Sequence, residues 1–395
     1  MEILFISHKY PPTIGGMEKQ CYELIAHAEK ENIVHKIVFT GEEESKLTFF
    51  RKLKFRVKNT LRRNPNIEVI HLNDGLMGLF TLWLKQYTSI PVIITFHGLD
   101  LVFPNRFYQR FISKKYTQYD AAICVSTATA EACLQRGFPK EKVFVVPNGV
   151  DHQIADFQPN RKAFLKYCYE NFGCDLTNRK VIVTLGRAVQ RKGFSWFLEN
   201  VIPQLDDEII TIMVGPVKPP QKSPWWHALV PNSILKQIQL AQGGLSDEDK
   251  IRDLLKNKRL KNKVIQTGKL PFQQLLEMLS LADLFVMPNV KKAGDAEGFG
   301  LVALEASIRK ATVLASNLEG IPEAIKDQKN GYLLPSANAE IWIEKIHWLL
   351  NSPKELQVQA TQFQKYTLEN YSWEKMTRGY LKVFQAIINK KKERR

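Results

Sequence analysis

The stretch that decides the fold joins Leu284–Pro288, LFVMP, to Glu297–Glu305, EGFGLVALE. The first segment is a continuous apolar run, which is typical of a buried parallel strand. The second begins with a small-residue loop and enters a helical pattern at Leu301. A strand, a loop and a helix in this order aim free backbone N–H groups and the positive end of a helix dipole at an anion. Because Gly298 and Gly300 allow a ligand close to the main chain, we predict a sugar-diphosphate site here.

The rest of the chain alternates short β-type runs with helical patterns from end to end. Most of these runs are continuously apolar, as expected of parallel strands covered by helices on both faces. Strand–helix alternation predicts α/β doubly wound domains. We predict strands at residues 3–6, 34–40, 69–72, 92–96, 121–125 and 143–146, and then at 181–185, 209–214, 264–267, 284–287 and 312–315.

A domain boundary is expected where this rhythm breaks. The strand pattern stops after Pro147-Asn148-Gly149 and restarts at Lys180. The predicted divisions are a first domain at 1–152, a linker at 153–178, a second domain at 179–370 and a C-terminal helical segment at 371–395. Because ligands of open α/β sheets bind at the carboxyl ends of the strands, we expect the site in the cleft between the domains.

The composition is that of a globular protein with excess positive charge. The chain has 395 residues, 44% of them hydrophobic, and a formal charge of +16. Such a charge attracts nucleic acids, anionic membranes and phosphorylated substrates, but no nucleic-acid-binding module is recognisable. The longest nearly apolar run, Leu76–Leu84, is far shorter than the ~20 residues of a membrane span. Five cysteines without metal-binding spacing, and a strand directly at the N terminus, lead us to expect a cytoplasmic protein.

Several short motifs lie at predicted strand ends, and their order along the chain is informative. The segment Glu297–Glu305 resembles the glutamate-pair motif of the retaining glycosyltransferases of family four, which have the GT-B fold. The other motifs are Gly15-Gly16, Phe96–Asp100, Pro147–Asp151, the pair Gly186-Arg187 and Lys192-Gly193, and Asn330–Leu333. The resemblance covers nearly the whole chain. It implies two Rossmann-like domains around a cleft, and a terminal helix that crosses back onto the first domain.

The resemblance implies that cations and backbone amides hold the donor diphosphate. Arg187 and Lys192 occupy the phosphate-binding positions, where an arginine can grip a phosphate with two hydrogen bonds and a lysine acts as a compact charge. The alternative is that they are two of 56 basic residues. The backbone segment that would meet the diphosphate consists of Phe299, Gly300, Leu301 and Val302.

The two glutamates of the motif have separate implied roles. By resemblance, Glu297 contacts the hydroxyls of the donor sugar, and a direct catalytic part is open. Glu305 would hold the ribose of the nucleotide. The alternatives are a solvent-facing loop carboxylate for Glu297 and a helical glutamate paired with a lysine for Glu305.

The first domain contributes a histidine and a glycine pair to the expected site. By resemblance, His97 lies close to the reacting carbon and the donor sugar, and Gly15 and Gly16 approach the donor phosphate and the acceptor. The alternatives are a buried histidine with a satisfied hydrogen bond and an ordinary turn. Asp100 would cap or orient the loop that carries His97.

No metal and no cofactor beyond the donor itself is expected by resemblance. The run Asp247-Glu248-Asp249 looks like the metal-binding carboxylates of another glycosyltransferase fold. Because Ser246 precedes it, and a serine followed by an acid three residues later favours a helix start, we interpret this run as a helix cap.

A basic segment of the first domain suggests contact with an anionic membrane. Residues 45–63 contain eight basic residues and no acid, with Phe50, Leu53, Val57 and Leu61 at helical spacing. Such an amphipathic helix can lie on the inner leaflet, although a solvated helix packed on its own sheet explains the pattern equally well. The basic tail 390–395 would assist, or would be a frayed end.

Two stretches depart from the family pattern. Residues 216–245 form a longer, Pro- and Trp-rich connection that would shape the acceptor site or be a packed insertion. In Glu319–Glu323, EGIPE, a glutamate stands where the family more often has a glycine. This change alters a turn near the cleft.

These observations predict a retaining, metal-independent hexosyltransferase. It would move a sugar from a UDP- or GDP-linked donor to a hydroxyl of a glycan or lipid-linked acceptor, in polysaccharide, lipopolysaccharide or glycolipid synthesis. The rival predictions are a sugar-nucleotide epimerase or hydrolase and a non-catalytic sugar-nucleotide-binding scaffold. A dehydrogenase is disfavoured because no strand is followed by Gly-x-Gly-x-x-Gly. The sequence leaves the donor base, the sugar and the linkage open.

Overall fold

The computed structural model describes residues 1–219, 230–241 and 243–393. The chain folds as two compact units. The first consists of Met1–Gly149 with Tyr371–Arg395, and the second is Val150–Asn370. Each unit contains one six-stranded sheet whose strands are all parallel. The α/β doubly wound architecture predicted from the sequence is therefore confirmed.

The sheet of the first unit has the strand order β2-β1-β3-β4-β5-β6. Its strands are β1 Glu2–Ser7, β2 Ile33–Val38, β3 Val69–Leu72, β4 Val92–Phe96, β5 Ala121–Cys124 and β6 Val143–Val145. The helices that connect them are α1 Gly16–Ala28, α2 Lys46–Arg63, α3 Gly75–Phe80, α4 Leu84–Tyr87, α5 Leu99–Val102 and α6 Thr127–Leu134. Strands β1, β3 and β4 are central, and β1 places Ile3 opposite both Val34 and Val69. The loops after these central strands carry the motifs of the first half.

The sheet of the second unit has the strand order β12-β11-β10-β7-β8-β9. Its strands are β7 Lys180–Leu185, β8 Ile209–Val214, β9 Val264–Gly268, β10 Leu284–Met287, β11 Thr312–Ser316 and β12 Tyr332–Leu334. Its helices are α7 Arg161–Phe172, α8 Phe194–Asn200, α9 Asn232–Ala241, α10 Glu248–Leu254, α11 Lys258–Lys261, α12 Phe272–Leu281, α13 Leu301–Ile308, α14 Ile321–Ala324, α15 Ala339–Leu350 and α16 Pro353–Asn370. Strand β7 pairs with β10, so the loops after these two strands leave the sheet side by side.

All eleven strands predicted from the sequence are present, with bounds that differ by at most two residues. The prediction missed β12, which has only three residues and pairs with β11 at the sheet edge. Strands β3, β4, β5, β10 and β11 are buried at every position, which explains why they appear in the sequence as apolar runs rather than as alternating ones.

The C-terminal helix α17, Trp373–Lys392, belongs to the first unit. It packs on α1, where Gln20 Nε2 donates a hydrogen bond of 3.1 Å to Tyr380 Oη. Tyr380 and Phe384 are fully buried. Gly149 packs directly against the start of α17, where a Cβ added to it would overlap the backbone of Ser372 and Trp373.

The segment 153–178, predicted as a linker, lies in the second unit. It contains α7, in which Phe164 and Cys168 are buried and join one apolar cluster of that unit. Asn160 caps α7 by accepting a hydrogen bond of 3.1 Å from the Ala163 N–H, and Gly173 ends it in the left-handed conformation.

Candidate active site

The pair Lys192–Glu297 is the centre of the site in the second unit. Glu297 lies on the loop between β10 and α13, and its Oε2 is 2.7 Å from Lys192 Nζ. Two further groups face the same oxygen: Arg191 Nε at 3.6 Å, and Asn289 Nδ2, which donates a hydrogen bond of 3.3 Å. The structure thus brings together one predicted cation and the first predicted glutamate.

Electrostatics keep this pair charged although both side chains are about nine-tenths buried. Burial would raise the pKa of Glu297, but the charges of Lys192 and Arg191 outweigh it and lower the pKa to about 2. Burial lowers the pKa of Lys192, and the carboxylate of Glu297 opposes that change. The result is a compact site with a fixed carboxylate and an ammonium of restricted hydration.

Close backbone packing brings the loops after β7 and β10 together. Gly193 has φ +68°, and a Cβ added there would overlap the carbonyl oxygen of Pro288. Beside this contact, the Val290 N–H donates a hydrogen bond of 2.9 Å to the Arg191 carbonyl. Glycine is required at 193 for both conformation and space, and this contact places Lys192 beside Glu297.

Arg187 lies on the same loop as Lys192, and its side chain is exposed. Its guanidinium lies against Gly243, where an added Cβ would overlap it. The charge of Arg187 contributes to lowering the pKa of Lys192, although burial is the larger cause. The two predicted phosphate-binding cations therefore lie at the same strand end, one exposed and one buried.

The loop after β10 ends in the helix start that the sequence predicted. Gly300 has φ +99°, in the left-handed region, and α13 begins at Leu301. Phe299 is buried, whereas Leu301, Val302 and Glu305 are partly exposed. The first N–H groups of a helix have no partner within it, so this end of α13 offers donors to an anion.

Three charged residues of this site were missed by sequence reasoning. They are Arg191, Asp295 and Glu319. Arg191 lies between Asp295 and Glu297, with its Nη1 3.7 Å from Asp295 Oδ2. Glu319 Oε2 accepts a hydrogen bond of 2.6 Å from the Glu297 N–H. Burial raises the pKa of both Asp295 and Glu319, for Glu319 to about 7. Only Glu319 gave a signal in the sequence, as a departure from the family pattern.

In the first unit, His97 follows β4 directly and is tied to neighbouring loops. The backbone N–H of His97 donates a hydrogen bond of 3.0 Å to Asp100 Oδ2, and the ring Nε2 lies 2.8 Å from the Asn73 carbonyl oxygen. A carbonyl can only accept, so Nε2 carries the proton. Burial raises the pKa of Asp100, against the charge of His97. Asp100 thus orients the His97 loop, as the sequence predicted for it.

A second carboxylate, Asp74, supports this group from the loop after β3. Its Oδ1 accepts hydrogen bonds from the N–H groups of Leu76 and Met77 and caps α3, and its Oδ2 is 2.9 Å from His8 Nδ1. Despite burial, the contact with His8 lowers the pKa of Asp74. Polar side chains therefore collect at the carboxyl ends of β1, β3 and β4.

The glycine pair lies at the start of α1. Gly16 is the first residue of the helix. The carboxylate of Glu18 lies against Gly15, where an added Cβ would overlap its Oε2, and Glu18 Oε1 is 3.1 Å from Lys9 Nζ. A side chain at position 15 would therefore require the Glu18 carboxylate to move.

The run Asp247-Glu248-Asp249 starts helix α10, as predicted. Ser246 Oγ accepts a hydrogen bond of 3.4 Å from the Glu248 N–H. Asp247 does not cap its own helix; it accepts hydrogen bonds from the N–H and Oγ of Ser195, at 3.0 and 2.8 Å, and so caps α8. Among the described residues, no cluster of three or more His, Cys, Asp or Glu could hold a metal ion.

The apolar stripe proposed to face a membrane packs inside the first unit, which corrects that prediction. On α2, Leu53 and Val57 are buried in the apolar cluster of this unit, and Phe50 and Leu61 pack against it. The stripe serves to hold α2 on its sheet. Within the described ranges, no helix is long and apolar enough to cross a bilayer. Of the predicted insertion 216–245, residues 220–229 and 242 lie outside the described residues.

Comparison with known proteins now identifies the family. The model for glycosyl transferases group 1 matches residues 175–366, and the model for glycosyltransferase family 4 matches residues 14–154. The chain belongs to the group 1, family 4 glycosyltransferases. Its enzyme class, a glycosyltransferase, follows from this membership.

The relatives agree on the class and differ in what they act on. The alpha-maltose-1-phosphate synthase of Mycolicibacterium smegmatis is 22% identical, over 98% of this chain and all of that protein. A GDP-mannose-dependent alpha-(1-6)-phosphatidylinositol monomannoside mannosyltransferase of the same species is 26% identical, over 66% of this chain and 60% of its own. The Anabaena protein HepE, solved in complex with UDP, has the same fold, with a TM-score of 0.70 and 16% identity over 98% of this chain and all of that one.

Proposed function

We propose that this protein is a retaining, metal-independent hexosyltransferase that uses a UDP- or GDP-linked sugar. The observation that carries the proposal is the ion pair Lys192–Glu297 at the shared end of β7 and β10, beside the start of α13. Cations, backbone donors and a carboxylate are the groups that a sugar diphosphate needs, and the three lie within one loop cluster. Relatives named for GDP-mannose and for complexes with UDP support a nucleotide-sugar donor.

The chemistry assigned to these groups follows the charge that develops during the reaction. As the anomeric C–O bond breaks, negative charge grows on the departing diphosphate and positive charge grows on the sugar ring. Arg187, Lys192 and the N–H groups at the start of α13 would stabilise the first charge. Glu297, kept ionised by Lys192, would contact the sugar hydroxyls near the second.

The proposal assigns the acceptor to the class of hydroxyl-bearing glycans or lipid-linked glycans. The relative that acts on a phosphatidylinositol monomannoside supports a glycolipid acceptor. His97, held by Asp100 and the Asn73 carbonyl, would contact the donor sugar or the acceptor. The reaction would serve surface polysaccharide, lipopolysaccharide or glycolipid synthesis in the cytoplasm, where the five free thiols stay reduced.

The test is turnover of a panel of UDP- and GDP-sugars, with chelator present and with and without glycan and lipid-linked acceptors. Product formation that needs an acceptor, with the anomeric configuration of the donor conserved by NMR, would support the proposal. Hydrolysis or epimerisation without an acceptor would favour the rival enzyme. Binding of a donor without turnover under any condition would favour a non-catalytic scaffold.

The exposed face of α2 suggests a peripheral membrane contact, and we include it in the proposal. Leu47 and Phe55 are 80% and 73% exposed, and Arg51, Lys52 and Lys54 surround them. Apolar side chains among cations suit an anionic lipid surface. The test is cosedimentation with vesicles that contain anionic lipid, compared with purely zwitterionic vesicles. Phe55→Ser should weaken binding, whereas Tyr169→Ser, at a residue of the second unit that is 63% exposed, should not. Unchanged binding in both variants would exclude this surface.

A further inference from the structure

The connection between β11 and α14 forms two hydrogen bonds with the backbone of Glu297. The Glu297 N–H donates a hydrogen bond of 2.6 Å to Glu319 Oε2. The Glu297 carbonyl accepts one of 3.0 Å from the Gly320 N–H. Both polar backbone groups of Glu297 are therefore held by two adjacent residues of another loop.

These two hydrogen bonds depend on the residues at positions 319 and 320. A Cβ added at Gly320 would overlap the carbonyl oxygen of Gly298, so glycine is needed for the close approach. Glu319 has φ +53°, in the left-handed region that L-residues seldom occupy. A residue other than glycine in this conformation calls for a compensating interaction, and the bond to the Glu297 amide provides one.

We propose that Glu319 is a positioning residue of the donor site: by holding the amide of Glu297, it fixes the loop in the geometry that sets the Glu297 carboxylate on Lys192. This inference rests on the proposed function, because it concerns the same site. The side chain of Glu319 contacts the backbone of Glu297. Glu319 would therefore affect donor use by positioning Glu297.

The charges around Glu319 make this role sensitive to pH. The groups that act on it are Glu297 and Asp295, which are negative, and Arg191, which is positive. Burial and the two carboxylates raise the pKa of Glu319 to about 7, against the hydrogen bond from the Glu297 amide. A bound diphosphate adds further negative charge nearby, so it should favour the protonated form. We therefore expect the donor KM to rise as the pH increases through about 7.

Three variants separate the hydrogen bond, the charge and the backbone conformation. Glu319→Ala removes the acceptor. Glu319→Gln keeps an acceptor oxygen and removes the charge. Glu319→Gly removes the acceptor but relaxes the backbone, so it guards against a variant that fails to fold. The matched control is Gln328→Ala, because Gln328 is also left-handed, at φ +58°, and is exposed outside the donor-site loops.

The first readout does not depend on activity. It is hydrogen–deuterium exchange of a peptide that spans residues 295–300. Exchange should be faster by about tenfold or more in Glu319→Ala and Glu319→Gly, as expected when the hydrogen bond that protects the Glu297 amide is lost. It should be close to wild type in Glu319→Gln and in Gln328→Ala. Equal protection in Glu319→Ala and wild type would overturn the proposal.

The second readout is donor kinetics between pH 6 and 8. Glu319→Ala should raise KM or lower kcat by about tenfold, and Glu319→Gln should recover most of that loss while flattening the rise in KM near pH 7. The inference would be contradicted if Glu319→Gln lost as much activity as Glu319→Ala. It would also be contradicted if the KM of Glu319→Gln rose near pH 7 as in wild type. An inactive wild-type protein would instead refute the proposed function, while the exchange measurement would still decide the role of Glu319.

Discussion

At the residue scale, the site is governed by a few buried charges rather than by the number of basic residues. Lys192 and Glu297 could be predicted as candidates because each follows a strand whose apolar pattern is clear in the sequence. Their partners could not. Arg191, Asp295 and Glu319 enter the site because separate loops pack against one another, and such packing leaves no periodic pattern.

Breaking the buried pair should destabilise the protein. Glu297→Gln leaves the Lys192 ammonium without its counter-charge in a site where both side chains are mostly buried. The expected loss is about 3 kcal/mol of unfolding free energy, which urea unfolding would measure. Lys192→Met in the same chain should recover part of it. Glu369→Gln breaks the exposed pair with Lys365 and should cost less than about 0.5 kcal/mol. Equal costs for the two single variants would refute a buried, charged pair.

The two glutamates of this site should give opposite pH dependences of stability. The pKa of Glu297 is lowered to about 2, so its contribution is complete above its unfolded value near 4.5 and is lost as the pH falls through about 2. The pKa of Glu319 is raised to about 7, so the folded state binds more protons than the unfolded state between about 4.5 and 7. Stability should therefore fall as the pH rises across that window.

The comparison of wild type with Glu319→Gln isolates the second effect. Unfolding by urea at pH 5, 6, 7 and 8 should show a stability difference that changes across this range and levels off above about pH 7. A difference that is constant with pH would mean that Glu319 keeps an ordinary pKa.

At the element scale, the strands were predictable because strands that are buried on both faces consist of continuous apolar runs. The three-residue β12 was missed because it is too short for such a run. The stripe on α2 illustrates the limit of the same reasoning. Phe50, Leu53 and Val57 have the spacing of an amphipathic helix, but the spacing does not reveal whether that face meets a membrane or the protein's own sheet.

Glycines at element ends offer a test of the loop contact that forms the site. Gly193→Ala should be strongly destabilising, by about 3 kcal/mol or more, because it meets both a left-handed backbone and the Pro288 carbonyl. Gly173→Ala is the matched control: its φ is +65°, but nothing lies within 4 Å of an added Cβ, so about 1 kcal/mol is expected. Thermal unfolding of both variants would measure this. Equal losses would show that the contact of Gly193 with the Pro288 carbonyl, in the loop after β10, adds nothing to stability.

At the scale of the whole molecule, two units with separate cores explain the division of the motifs. Each unit carries its candidate residues at the carboxyl ends of its own parallel strands, as this class of sheet requires. The sequence predicted both sheets from alternation. The membership of α17 in the first unit depends on long-range packing with α1, which local patterns do not show.

Removal of the C-terminal helix should affect the two units differently. A chain ending at Asn370 lacks Tyr380 and Phe384, which are fully buried in the first unit. We expect the first unit to lose cooperative unfolding while the second keeps its transition, as followed by calorimetry of the truncated and full-length chains. Loss of both transitions, or of neither, would contradict this assignment.

If Lys192 and Glu297 form a nucleotide-sugar site, the decisive measurement is nucleotide release with chelator present. We expect that one UDP- or GDP-sugar is turned over, that Arg187→Ala and Glu297→Ala each reduce turnover at least about a hundredfold, and that Lys365→Ala, at an exposed residue, leaves turnover unchanged. Turnover that survives both site variants, in protein that remains folded, would contradict the assignment of this site.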